Sequence, residues 1–117
     1  MKEKNIYIQA IKREITFYIG ERKEENFDVI DKGELHDLWF HAGNNDSSCH
    51  IVCKVPPDID KKDLKYLIST GAVLCKSNTN KLKSIKNVTI VYTNIKNIIK
   101  TDIPGRVIST NLKQKII

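Results

Sequence analysis

Ile6 and Ile8 alternate with polar neighbours over residues 4 to 10, and Ile15, Phe17 and Ile19 do the same over residues 14 to 19. Alternation with a period of two puts all apolar side chains of a segment on one face of a pleated chain, so both segments are predicted strands, the second closed by Gly20. The charged run from 21 to 32 carries Phe27 and Ile30 three apart, which predicts a short helix with Gly33 as its left-handed cap. Between 60 and 78 the apolar residues Leu64, Leu67, Ile68, Gly71, Ala72 and Cys75 follow the spacing of one buried helical face. Asp60 and Asp63 stand where an N-cap belongs and Asn78 where the helix should stop. Gly71, on the apolar face, predicts close approach of a strand backbone. The β-branched run Val88 to Thr93 predicts a buried strand. A linker with Asp102, Pro104 and Gly105 then leads to short strands at 106 to 110 and at the C-terminus. Strands outnumber helices, so the expected fold is α+β, a largely antiparallel sheet of about six to seven strands with two helices in one domain spanning 1–117.

Residues 36 to 42 and 47 to 54 are strand-like on either side of Gly43-Asn44-Asn45-Asp46, strong turn chemistry that predicts a hairpin ended by Pro56 and Pro57. An even-length turn pairs residues whose numbers sum to 89, so Trp39 should face His50, His41 Ser48, and Phe40 Cys49. Side chains then sort into two faces. Leu38, Phe40, Cys49, Ile51 and Cys53 form an apolar face, and Trp39, His41, Ser48, His50 and Lys54 form a polar one.

Charge changes the picture more than composition does. Residues 1 to 75 hold 11 Lys/Arg against 13 Asp/Glu, whereas residues 76 to 117 hold 9 against 1, and the whole chain carries +6. Codon bias accounts for Lys outnumbering Arg 17 to 3 but not for the near disappearance of acidic residues after Asp63. A basic region attracts phosphate backbones through Coulomb attraction and counterion release, so a polyanion partner is expected. The candidate contacts are Lys76, Lys81, Lys83, Lys86, Lys96, Lys100 and Arg106. No apolar run reaches the roughly 20 residues of a membrane span and the N-terminus lacks a secretory core, so no membrane association is expected and the default address is cytoplasmic, with the nucleus as the alternative.

The two-His face invites sharper chemistry. Zinc would need four ligands in tetrahedral reach, but His41, Cys49, His50 and Cys53 lack paired spacing and alternate between faces, so no metal is expected. Cys49 points away from His50, which disfavours a Cys-His nucleophile. The three cysteines read as reduced core residues. General acid/base work by His41 and His50 is the surviving enzymatic alternative, but no phosphate-binding loop, dinucleotide fingerprint or nucleophile elbow appears, so neither catalysis nor a cofactor is expected. Trp39 reads as a structural anchor shaping this face.

The ordered blocks Asp37-Leu38-Trp39-Phe40-His41, Ser48-Cys49-His50-Ile51-Val52, Val91-Tyr92-Thr93 and Pro104-Gly105-Arg106-Val107, with Tyr18-Ile19-Gly20 and Glu25-Asn26 before them, resemble the NFACT-R family over about residues 14 to 110. The resemblance implies a non-catalytic nucleic-acid-binding module, with RNA favoured over DNA and with the ribosome or transfer RNA as partners of its larger relatives. It marks Trp39, His41, Ser48, His50, Tyr92 and Thr93 as a motif face. Many relatives carry Gly-Ser-His where this chain has Ser48-Cys49-His50, and a longer, more basic loop where it has Lys100 to Ile103. Phosphate contacts are then expected from Lys81, Lys83 and Lys86. A protein-interaction module docking on a ribosomal or viral assembly is the competing expectation, and oligomeric state is left open.

Overall fold

The computed structural model describes residues 1–43 and 47–117. Strands β1 (Lys2–Ile8), β2 (Arg13–Gly20), β3 (Leu38–Ala42), β4 (His50–Cys53), β5 (Thr89–Asn94) and β8 (Lys113–Ile116) form a six-stranded sheet in the order β1-β2-β4-β3-β5-β8. Every pairing is antiparallel. Helix α1 (Lys23–Asp31) lies on one face and α2 (Leu64–Ser77) on the other, while β6 (Ile98–Lys100) and β7 (Val107–Ser109) make a separate two-stranded ribbon. The α+β antiparallel architecture is the one the patterning predicts. The ribbon is not, because its first strand sits in what reads as a linker and has three residues, too few to show a period.

Alternation along each strand builds two cores. Ile15, Phe17, Ile19, Leu38, Phe40, Ile51, Cys53 and Ile90 pack under α2 through Leu67, Ala72 and Cys75. On the reverse face Trp39 and Val52 meet Val29 and Ile30 of α1 together with Ile95, and Ile98 and Val107 of the ribbon close over them. The α2 packing depends on Gly71. A Cβ there would come 2.3 Å from Phe40 Cζ, so the close approach is by an aromatic ring of β3 rather than by the expected strand backbone. Asp60 caps the 3₁₀ turn before α2 by accepting from the Lys62 amide at 3.3 Å, and the Asn78 side chain donates to the Leu74 carbonyl at 2.9 Å at its far end.

Two other expectations are corrected. Gly33 is not a left-handed cap: among the described glycines only Gly105 has positive φ, and α1 ends in ordinary helical geometry at Lys32. Gly33 is instead needed for space, since a Cβ would come 2.9 Å from Ile95 Cγ1. The hairpin register is also shifted by two residues, with Trp39 opposite Val52 and Phe40 opposite Ile51. The ladder stops early because Ser48 and Cys49 leave it: the Ser48 hydroxyl accepts from the Ala42 amide at 2.9 Å, and the Cys49 amide donates to Thr79 Oγ1 at 3.2 Å. A shift of two keeps parity, so the sorting of Trp39 and His50 against Phe40 and Ile51 survives. Part of the turn, Asn44 to Asp46, lies outside the described residues.

Asp37 fastens the opposite end of the sheet. Its fully buried carboxylate accepts from the Glu34 amide and the Val55 amide, each at 2.8 Å, and pairs with Lys54 Nζ at 2.6 Å. The three cysteines are buried and unbridged.

Replacing Gly71 with Ala should cost about 1–3 kcal/mol through overpacking. The cost should shrink when Phe40 is already Leu, because the ring atoms it meets are then gone. Urea unfolding of the two single variants and the double variant measures this, and equal costs in both backgrounds would refute the steric account.

Candidate nucleic-acid interface

Strand β2 ends, and α1 begins, at the end of the sheet where Gly20 pairs with His50. The β3–β4 connection closes at the same end, and the ribbon turn reaches it from above. That turn is built by Gly105, whose φ of +78° no side chain adopts without strain. A Cβ at Gly105 would also come 2.6 Å from Lys23 Cβ, so the turn sits directly on the start of α1. The Arg106 amide donates to the Ile103 carbonyl at 3.0 Å, and Thr101 and Arg106 pair across the turn's base.

Beneath the turn lie two adjoining clefts of about 590 and 530 Å³ that share His41, His50, Gly105 and Arg106. The first is bordered by Arg22, Lys23, Asn26, Ser47 and Ser48, the second by Trp39, Val91, Val107 and Leu112. Residues up to 91 positions apart in the chain, Glu21 and Leu112, thus line one concavity.

Its floor is an aromatic cluster. Trp39 Nε1 donates to His50 Nδ1 at 3.2 Å, the Trp39 and His41 rings stack at 5.6 Å, and the His41 and His50 rings meet edge to face at 4.8 Å. Indole can only donate, so His50 Nδ1 must accept and the imidazole proton resides on Nε2. Burial, with His41 adding a smaller effect, pushes the His50 pKa down to about 3. At neutral pH His50 is therefore a fixed, uncharged hydrogen-bond donor. Trp39 is 2% exposed, which leaves its ring as a support for His50 and not as a platform for a base.

The rim is mixed in charge. Arg22, Lys23 and Arg106 are exposed there, and Arg106 has no acidic partner among the described residues. Glu21 and Glu24 border the same cleft, but Glu21 is engaged by Lys2 at 3.1 Å. Glu25 binds the N-terminal ammonium and the amides of Glu21 and Arg22, which hold its carboxyl at about 2, and it also pairs with the Arg22 guanidinium at 3.7 Å.

The motif face is partly assembled. Trp39, His41, Ser48 and His50 converge, Thr93 stands beside Trp39 in the next strand, and Thr93 Oγ1 ties β5 to the chain after β7 by donating to the Thr110 carbonyl at 3.0 Å. Tyr92 lies on the α2 face, its ring 5.9 Å from Phe40.

The basic candidates scatter. Arg106 stands over the cleft. Lys81, Lys83 and Lys86 are exposed on the connection after α2, at the same end of the sheet but on its other face. Lys76 donates to the Ile117 carbonyl at 3.0 Å, Lys100 pairs with Asp31, and Lys96 borders a separate cleft of about 650 Å³ at the Asp37 end. Arg22 and Lys23 were hidden from a reading of charge along the chain, because acidic neighbours cancel them in sequence. The glycine-then-Glu-Asn segment is the signal that could have pointed to them. No group of three or more His, Cys, Asp or Glu suited to a metal occurs among the described residues.

A donor-lined, cation-rimmed concavity thus sits on a small antiparallel α+β scaffold. The NFACT protein RNA binding domain family matches residues 4–111, and the chain belongs to that family. Coiled-coil domain-containing protein 25 of Danio rerio is 34% identical over 87 residues, covering 74% of this chain and 42% of that protein. Its Dictyostelium discoideum homolog is 32% identical over 97 residues, covering 82% of this chain and 47% of the homolog. The chain thus spans less than half the length of these relatives. The C-terminal part of the fibronectin/fibrinogen-binding protein from Streptococcus suis shares the fold, with a TM-score of 0.78 at 18% identity over 100% of this chain and 45% of that one. Among the described residues no helix is long and apolar enough to cross a membrane.

His50 sets a pH dependence of stability. The unfolded chain takes up its imidazole proton near the ordinary value of 6.5, the folded chain only near 3, so between these values the unfolded state holds more protons. Stability should be full above about pH 6.5 and fall with acidification, approaching about 1.4 kcal/mol per pH unit. Urea unfolding at pH 7.5 and 5.5 should show a larger loss for the natural chain than for His50→Gln, which keeps an acceptor for Trp39 without the titration. Equal losses would place the acid sensitivity elsewhere.

Proposed function

We propose that the domain is a non-catalytic RNA-binding module acting in the cytoplasm, in a setting linked to translation, and that RNA enters at the end of the sheet where the cleft under Gly105 and Arg106 opens. The observation that carries this reading is the convergence of His41, Ser48, His50, Asn26 and Arg106 on one cleft rimmed by Arg22 and Lys23, in a member of an RNA-binding domain family. Lys83 and Lys86, around the same end of the sheet, extend the positive surface to a strand leaving the cleft. Backbone contacts of this kind give affinity and register with little sequence preference. A donor-rich cleft also suits the extra hydroxyl of ribose, which favours RNA over DNA. The depressed pKa of His50 argues against acid/base catalysis, since a group that holds its proton only near pH 3 cannot shuttle one near neutrality.

A protein-docking reading draws on one feature. Ile99 and Ile108 of the ribbon and Ile103 of its turn are all more than half exposed, an apolar group that reaches the cleft margin at Ile103. It predicts a pull-down that survives nuclease, whereas the RNA reading predicts one that nuclease abolishes.

Titration of labelled single-stranded RNA and DNA at several salt concentrations tests the proposal. Binding should weaken steeply with salt, and replacing Arg22, Lys23 and Arg106 together with Ala should lower the log–log slope by about 2, given roughly 0.7 per phosphate contact on single strands. Salt-indifferent binding, or an unchanged slope, would reject it. Co-sedimentation with large ribosomal subunits, lost in the same triple variant, is the expected signature of the translation link.

A further inference from the structure

We infer that the cleft between the α1 N-terminus and the Pro104-Gly105-Arg106 turn is a seat for a single phosphate group of a nucleic-acid strand, held by His50 Nε2–H and the Asn26 side-chain amide and covered by Arg106. This deepens the RNA-binding reading and rests on it.

Two buried polar groups argue for it independently of charge. Asn26 is 6% exposed, and its Oδ1 is fully buried without any hydrogen-bond partner. A Cβ at Gly20 would come 2.8 Å from that oxygen, so the carbonyl side of the amide lies against the bare Cα of Gly20. Its Nδ2, also unpartnered among the described residues, is then the side turned to the cleft. His50 is 1% exposed and makes one protein hydrogen bond, the one received from Trp39 at Nδ1, so its Nε2–H is a second donor without a protein acceptor. A ligand oxygen would give each of these two donors the acceptor that the protein does not supply.

The complement of two convergent donors is a pair of acceptor oxygens. Around them the first turn of α1, a nine-residue helix, opens into the cleft with the positive end of its dipole, and Arg22, Lys23 and Arg106 stand at the rim. Carbonyl-bearing neutral groups would satisfy the two donors but leave Lys23 and Arg106, unlike Arg22 with its partner Glu25, without an anion. A phosphate uses all of them. A cleft of about 590 Å³ is roomy enough for the attached sugar and base to lie outward over the rim. The phosphate could be a strand's 5′-terminal group or an internal phosphodiester, which the experiment separates.

The test follows the side-chain signals of His50 and Asn26 by NMR in the isotope-labelled chain. Inorganic phosphate and adenosine monophosphate should both shift the His50 ring nitrogens and the Asn26 side-chain amide, and adenosine should not. No shift with phosphate, or equal shifts with adenosine, overturns the seat. Asn26→Asp, which places a carboxylate in the seat, should weaken RNA binding about tenfold while Lys61→Ala, on the 3₁₀ turn before α2, changes it far less. Tighter binding of 5′-phosphorylated than of 5′-hydroxyl RNA assigns the terminal group, and equal binding an internal one. RNA that binds without moving the His50 and Asn26 signals sinks the seat and leaves the RNA reading standing. Phosphate-induced shifts without any RNA binding would sink the RNA reading instead.

Discussion

The hydrogen bond from the Trp39 indole to His50 Nδ1 decides the character of the cleft. Indole nitrogen has no lone pair to offer, so the bond dictates which imidazole nitrogen is bare and which carries hydrogen. Because Trp39 is itself clamped between Val52, Val29 and Ile30, the imidazole is held in one orientation as well as one tautomer. The same burial that fixes the ring keeps it uncharged. The cations that complete the site must therefore come from its rim.

The two ends of the sheet divide the labour. At one, a buried carboxylate gathers a loop, a strand end and a lysine into a fixed junction through Asp37. At the other, helix α1, the β3–β4 connection and the ribbon turn meet without filling the space between them. Asp37 and His41 stand at opposite ends of the same motif string. The string therefore combines a fastening and a functional surface, and strand β3 carries rigidity from one to the other.

Much of this was legible in the sequence where periodicity spans several residues. Ile15-Phe17-Ile19 landed under α2, whose Leu64 to Cys75 face packs onto them, and the opposite facing of Trp39 and Phe40 followed from alternation alone. Register was not legible, because Ser48 and Cys49 obey contacts with Ala42 and with Thr79, 30 residues away from Cys49, rather than the turn's own geometry. Gly33 and Gly71 show the same limit. Their presence announces a constraint, but which neighbour imposes it, Ile95 or the Phe40 ring, is a tertiary fact. The cleft's rim was obscured for an electrostatic reason. Arg22 and Lys23 vanish into an acidic stretch in one dimension, and only the fold shows that both stand at the mouth of a cleft, Arg22 while pairing with Glu25.

The sheet is open at both sides, with β1 and β8 as its outermost strands. Each presents unpaired backbone groups, a standing template for another chain. Both also bear lysines, Lys2 and Lys4 on one side and Lys113 and Lys115 on the other. Docking of an identical copy along either margin would bring those like charges together and force their desolvation. The lysines thereby disfavour fibrous growth of a chain whose strands are rich in isoleucine, a task unrelated to phosphate binding.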